Sequence, residues 1–185
     1  MDLEKFILVF NLIYVVLISR EIKWGWLFGI AGSGLFVVSN IEQNLYMDAF
    51  LNFYYVLVGM YGVMAWNAPD KSLEINISSL PNLKLLKLLL VTLCLALSLG
   101  YLFSKYTNNA LPYLDATITL LSFLATWMTT RKYLENWLLW IVADGLAIYL
   151  FYQKQTPEYI ILYVVYTLMA TYGFWNWNKK MNIKK

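Results

Sequence analysis

The sequence predicts an all-α integral membrane protein of seven transmembrane helices, and three observations carry that prediction: composition, the spacing of apolar runs, and self-similarity at a fixed offset. Of 185 residues, 61% are hydrophobic, 18% aromatic and only 14% charged, more apolar surface than a water-soluble domain of this size could hide in one core. A bilayer core of roughly 30 Å is crossed by about 20 mostly apolar residues, and charged or Pro/Asn-rich breaks cut the chain into seven such runs. The phrases "YGVMAWN" (61–67) and "YGFWNWN" (172–178) stand 111 positions apart, which predicts that a multi-helix unit occurs twice.

Taken in order, the first span is expected over residues 3–19, where Asn11 interrupts an apolar stretch from Phe6 to Ile18. The preceding "MDLEK" is acidic and no small-residue cleavage site follows, so this run is expected to stay as a helix. Spans over 24–41 and 48–67 follow. The polar stretch from Asn67 to Lys84, with Pro69 and Pro81, reads as a surface connection. Further spans are expected over 84–103, 111–130, 134–152 and 158–177.

Cationic side chains resist translocation and collect on the cytoplasmic side. Eleven of the fourteen Lys and Arg residues fall on one set of helix ends and three on the other. This places the N-terminus outside and the C-terminus in the cytoplasm, in a multi-pass protein of the cytoplasmic (inner) membrane. The net charge of +3 is accounted for by topology signals and lipid headgroups, with no nucleic-acid partner. One cysteine, Cys94, and no histidine exclude an internal disulfide, a His-based metal site and a His proton relay. No cofactor is expected, nor an enzyme constellation: nothing activates Ser or Cys, no paired carboxylates lie within the spans, and "GIAGSG" (29–34) sits inside an apolar helix rather than after a strand.

The self-similarity extends without a gap. Arg20 matches Arg131, Trp26 matches Trp137, Gly34 matches Gly145, Tyr55 matches Tyr166, and Tyr61, Gly62, Trp66 and Asn67 match Tyr172, Gly173, Trp177 and Asn178; Leu3-Glu4 stands opposite Leu114-Asp115. Repeat one covers about 1–67, an unrepeated linker with span four covers 68–110, and repeat two covers about 111–178. A three-helix unit ends on the opposite side from where it began, so the extra crossing makes the two units parallel repeats in a 3+1+3 plan, an arrangement associated with rocking-bundle transporters. Both copies of the opening phrase fall at cytoplasmic helix ends, where Trp66, Trp175 and Trp177 read as interfacial anchors.

Asp144 is expected near mid-bilayer, where a lone carboxylate costs roughly 2.5–3.5 kcal/mol on insertion scales, and no Lys or Arg lies at comparable depth. It therefore faces a partner, a cavity or a cationic ligand. Its repeat mate is Ser33, for which close helix packing through small residues competes with a ligand role. Trp137, Trp140 and Asp144, spaced by three and four, share one helix face. Two indoles and a carboxylate suit a flat, positively charged heteroaromatic ring, although Trp137 alone would also serve in the interfacial aromatic belt. Asn52, Tyr55, Tyr163 and Tyr166 offer hydrogen-bonding tips that could bridge helices or touch a ligand.

The stretches "LYMDAFLNFYYVLVGMYGVMAW" (45–66), "LPYLDATITLLSFLATWMTTRKYLENWLLWIVADGLAIYLF" (111–151) and "YVVYTLMATYGFWNWNKK" resemble the PnuC family of bacterial vitamin transporters, with "RKYLENWLLWIVAD" the most specific block. The resemblance implies a SWEET-like seven-helix fold and facilitated diffusion of an unphosphorylated vitamin, chiefly nicotinamide riboside, trapped by a cytosolic kinase. It further implies that Trp137, Trp140 and Asp144 form the family's span-six motif beside the substrate, that Asn52 and Tyr55 lie in its span-three motif, and that copies associate as a homotrimer. One departure concerns the substrate: Gly59 stands where nicotinamide riboside carriers would be expected to have a glutamine, and branches of the family are associated with thiamine and riboflavin. Thiamine is therefore the alternative substrate. A membrane-embedded enzyme or an assembly subunit is the alternative of another class.

Overall fold

A computed structural model of the protein describes residues 2–42, 46–67 and 75–183. It contains seven α-helices: α1 (Asp2–Ser19), α2 (Gly25–Glu42), α3 (Tyr46–Trp66), α4 (Asn82–Tyr106), α5 (Pro112–Thr130), α6 (Asn136–Gln153) and α7 (Pro157–Ile183). Each overlies a predicted span, and the largest departure is α7, which runs on to Ile183. Pro112 begins α5 and Pro157 begins α7, positions where the missing N–H of proline breaks no helical bond. Among the described residues, only Ala49–Trp66 and Asn82–Tyr106 are both long and apolar enough to cross a membrane by those measures alone, with a shorter apolar stretch over Phe6–Ser19. The other helices carry more polar residues.

Six of the helices close into a ring. Helix α1 packs against α2 and α7, α2 against α3, α3 against α5, α5 against α6, and α6 against α7. Among the described residues, no two helices facing each other across the ring make backbone contact, so side chains alone fill the middle. Among the described residues, helix α4 packs only against α5, where Gly100 lets the chains approach: a Cβ there would lie 2.9 Å from the backbone Cα of Tyr113. Large apolar side chains such as Phe50, Met64, Leu90, Ile161 and Leu168 stay exposed around the outside, an apolar extent that water-soluble monomers rarely show.

One end of the ring, which we call the basic end, gathers the C-termini of α1, α3, α5 and α7. The sequence reading of Trp66 and Trp177 as interfacial anchors is corrected here. Trp177 is fully buried and Trp66 is 9% exposed; only Trp175, 58% exposed, keeps an anchor's position. Hydropathy gives a residue's depth but not the face it turns to its neighbours, and these two indoles turn inward. With Trp26 and Trp137 they form an aromatic core. Ring centroids lie 5.6 Å apart for Trp26–Trp66 and 5.4 Å for Trp137–Trp177, each pair edge-to-face at 89°, and Trp66 and Trp177 are 6.0 Å apart. Gly62 and Gly173 make room: a Cβ would sit 2.5 Å from the indole of Trp26 or 2.7 Å from that of Trp137.

The connection after α3 is also less free than its composition suggests. Residues 68–74, including Lys71, lie outside the described residues, as do the side chains of Leu3 and Glu4. Residues 75–81 dock on the α5–α6 turn. Ser78 bridges Lys132 and Leu134 through its backbone at 3.1 and 2.9 Å, the Glu135 carboxylate accepts the Ser79 hydroxyl and the Leu80 N–H, and Leu80 is buried.

Candidate functional site

The ring interior collects polar side chains from five of its helices. Asp144, on α6, is 4% exposed, and no hydrogen bond or ion pair engages its carboxylate among the described residues. Tyr163 and Tyr166, three apart on α7 and with rings 5.9 Å apart, both lie within electrostatic reach of that carboxylate. Tyr163 in turn lies near Tyr55 of α3, which also lies near Ser122 of α5 and Tyr14 of α1. The Tyr54 hydroxyl donates to the carbonyl of Phe123 at 3.2 Å, which joins α3 to α5 beside this group. Five helices thus bring four phenols, one serine hydroxyl and one carboxylate together at mid-length, with aromatic faces, hydrogen-bond donors and a single negative charge.

Of the eight residues the sequence singles out, Tyr55, Asp144, Tyr163 and Tyr166 meet in this group. Asn52 lies one turn from Tyr55, half-buried and engaged. Trp140 is half-buried on the helix of Asp144 and packs against both aromatic and aliphatic clusters of the bundle. Ser33 is buried on α2, beside Gly32, where a Cβ would come within 2.7 Å of the Asn11 side-chain oxygen; the small residues hold α2 against α1, and no described contact joins Ser33 to the Asp144 group. Trp137 is 3% exposed in the aromatic core of the basic end, with its indole N–H unpartnered among the described residues. The helical spacing correctly puts it on the inward side, but one turn closer to that end than Trp140.

Tyr14 and Ser122 are the members that sequence reasoning missed. Ser122 stands 111 residues after Asn11, so the repeat register pairs two polar residues at matching depth, a signal that could have found it. Tyr14 has no polar mate, since Ala125 occupies its position in the second repeat. Conversely, Trp140 stands opposite Gly29, and it is against Gly29 that the Tyr14 ring packs, 2.8 Å from where a Cβ would be. The bulky aromatic comes from α1 in one half and from α6 in the other. An apolar groove between α1 and α7, lined by Val16, Arg20, Val165, Leu168 and Tyr172 among others, contains none of the predicted residues. Among the described residues, no group of His, Cys, Asp and Glu side chains could hold a metal ion.

Comparison with known proteins gives this interior its context. Residues 3–179 match the family model described as nicotinamide mononucleotide transporter. The nicotinamide riboside transporter PnuC of Escherichia coli (strain K12) is 25% identical over 193 residues, covering 90% of this chain and 81% of that one. That of Neisseria mucosa is 27% identical over 183 residues, covering 92% and 70%. A crystal structure of the vitamin B3 transporter PnuC superimposes with a TM-score of 0.75 at 25% identity, covering 96% of this chain and 80% of that one. Membership of this transporter family implies a multi-pass protein of the inner membrane, and the chain belongs to the nicotinamide mononucleotide transporter family, the family of the PnuC nicotinamide riboside transporters.

Proposed function

We propose that this protein carries nicotinamide riboside into the cell by facilitated diffusion, in a site built on Asp144. The observation that carries the reading is a carboxylate, 4% exposed and without a partner among the described residues, amid tyrosines in the middle of a six-helix ring. An unpaired charge in such a place is costly, and a pyridinium ring supplies the missing partner. Trp140 offers it a stacking face, and the hydroxyls of Tyr55, Tyr163 and Tyr166, with Asn52 one turn from Tyr55, suit the ribose. Trp137 supports Trp140 from the aromatic core below.

The transport unit is a 3+1+3 parallel repeat, 1–67 and 111–178 joined through 68–110. Its support is the ring order, in which α1–α7 and α5–α3 are equivalent contacts under exchange of the two halves, and the equivalent placing of Trp26 and Trp137. The distribution of Lys and Arg supports a cytoplasmic basic end with the N-terminus outside. The exposed leucines of α4 are available to lipid and to the neighbouring copies of a homotrimer, which the mass of the solubilised particle would test.

Thiamine is the second reading, and a specific observation favours it. Gly59, in place of the expected glutamine, is buried, and a Cβ would lie 2.7 Å from the Ile30 side chain, so a glutamine there would require Ile30 to shift. Nicotinamide riboside, thiamine and riboflavin should therefore be compared by thermal shift on the wild type and on Asp144→Asn. A stabilising shift by nicotinamide riboside that shrinks with Asp144→Asn is expected, together with liposome uptake that needs no Na⁺ or H⁺ gradient. A shift by thiamine alone transfers the site to that vitamin. An unchanged shift in Asp144→Asn removes Asp144 from it.

A further inference from the structure

The two halves of the ring are tied together at the basic end in matching ways. The indole N–H of Trp66 donates to the Thr130 carbonyl at the end of α5 (3.1 Å), and that of Trp177 donates to the Ile18 carbonyl at the end of α1 (3.2 Å). Each half thus satisfies a helix-terminal carbonyl of the other, a group left over by the helix's own bonding. Just beyond those carbonyls stand Glu21 and Lys132, themselves 111 residues apart. Both have left-handed backbones, with φ of 65° and 53°, closing α1 and α5 through the same pair of turn bonds. This conformation costs a residue with a side chain roughly 1–2 kcal/mol, and glycine would avoid it.

The two side chains meet across the halves. Lys132 Nζ lies 2.8 Å from a Glu21 carboxylate oxygen, Lys180 Nζ lies 3.2 Å from the other, and Lys180 also donates to the Arg20 carbonyl at 2.8 Å. Lys132 lies 4.6 Å over the Trp66 ring, so the ion cluster rests directly on the aromatic core. Asn176 adds a further bond between halves, to the Ser19 carbonyl at 2.7 Å.

We infer that Glu21, Lys132 and Lys180, with the four indoles beneath them, form the gate at the basic end, a latch between the halves that is closed in this structure and must part for the interior to open there. The inference rests on the transport reading, since only a carrier whose halves move needs such a gate. Charged hydrogen bonds suit a latch that opens and closes, because water can replace them at the membrane surface when the halves separate, whereas the interior site cannot trade its partners so cheaply. The strained left-handed residues hold the charges at the seam, where a glycine would leave it unlatched.

The test uses the full chain in liposomes with Cys94→Ser. In Glu21→Cys/Lys132→Cys, a reducible bifunctional thiol reagent ties the latch shut. Uptake of labelled nicotinamide riboside is expected to fall by about tenfold or more, equivalent to about 1.4 kcal/mol on the barrier, and to return on reduction, while the thermal shift with the same ligand persists. In Glu21→Gly, whose backbone suits the turn, iodide presented at the basic side should quench tryptophan fluorescence more strongly than in the wild type. Undiminished uptake under a complete cross-link, or unchanged quenching in Glu21→Gly, overturns the gate. A wild type that neither binds nor carries nicotinamide riboside overturns the substrate reading instead, and the quenching measurement then decides the gate.

Discussion

Single residues show where charge and hydroxyls are placed for use. Tyr55→Phe keeps the ring and removes the hydroxyl near Ser122, so ligand affinity should drop by a factor set by one hydrogen bond, about 0.5–1.5 kcal/mol, measurable by calorimetric titration; an unchanged affinity would remove that hydroxyl from the site. Glu21 invites a test by pH. Burial pushes its carboxyl upward, but the ammonium groups of Lys132 and Lys180 more than offset this and hold it below the ordinary carboxylate value. With a depressed folded-state pKa, the pairing contributes stability above the unfolded-state value near about 4.3 and loses it as the pH falls through the lower folded value. The melting temperature gap between wild type and Glu21→Gln should therefore be constant from neutral to mildly acid pH and narrow only below that range. A gap that closes near neutrality would contradict the assignment. Asp144 was readily legible in the sequence, because a lone carboxylate in an apolar run stands out by charge alone. Tyr14 was not, since one tyrosine among fifteen carries no sign of the face it occupies.

Between helices, glycine and indole decide the spacing. At Gly62 and Gly173 the added methyl of alanine would collide with the rings of Trp26 and Trp137 at 2.5 and 2.7 Å, and overpacking of this kind costs typically about 1–3 kcal/mol. Each single alanine variant should lower thermal stability, and pairing Gly173→Ala with Trp137→Phe should recover part of the loss. Equal destabilisation with and without the smaller ring would show that the clash is taken up elsewhere. Helix positions were legible because bilayer thickness sets their length and charged or proline-bearing breaks set their ends. Which faces of α3 and α7 are buried was not, since both helices are apolar on nearly every side. The repeated Tyr-Gly and Trp-Asn phrases read as anchors on that account, whereas their glycines and tryptophans interlock as the core of the basic end.

At the scale of the whole molecule, the interior holds the buried carboxylate of Asp144, and Glu21, Lys132 and Lys180 pair at the basic end. If Asp144 stays ionised and returns empty, each cycle moves one positive charge with a monovalent cationic vitamin. The membrane potential then drives accumulation even though no ion is co-transported. A potential of about 100 mV, negative inside, is worth about 2.3 kcal/mol per charge, and at about 1.4 kcal/mol per tenfold this corresponds to an accumulation of about fiftyfold. Liposomes carrying a potassium diffusion potential set by valinomycin should reach that ratio with nicotinamide riboside and lose it when the potential is collapsed. If instead Asp144 takes up a proton for the empty return, the cycle exchanges a proton for the cation and becomes electroneutral. The steady-state ratio would then ignore the potential and follow an imposed pH difference. The two outcomes separate on one preparation, and Asp144→Asn, which carries no charge in either direction, should remove the pH response in the second case while leaving any residual flux of the cation sensitive to potential.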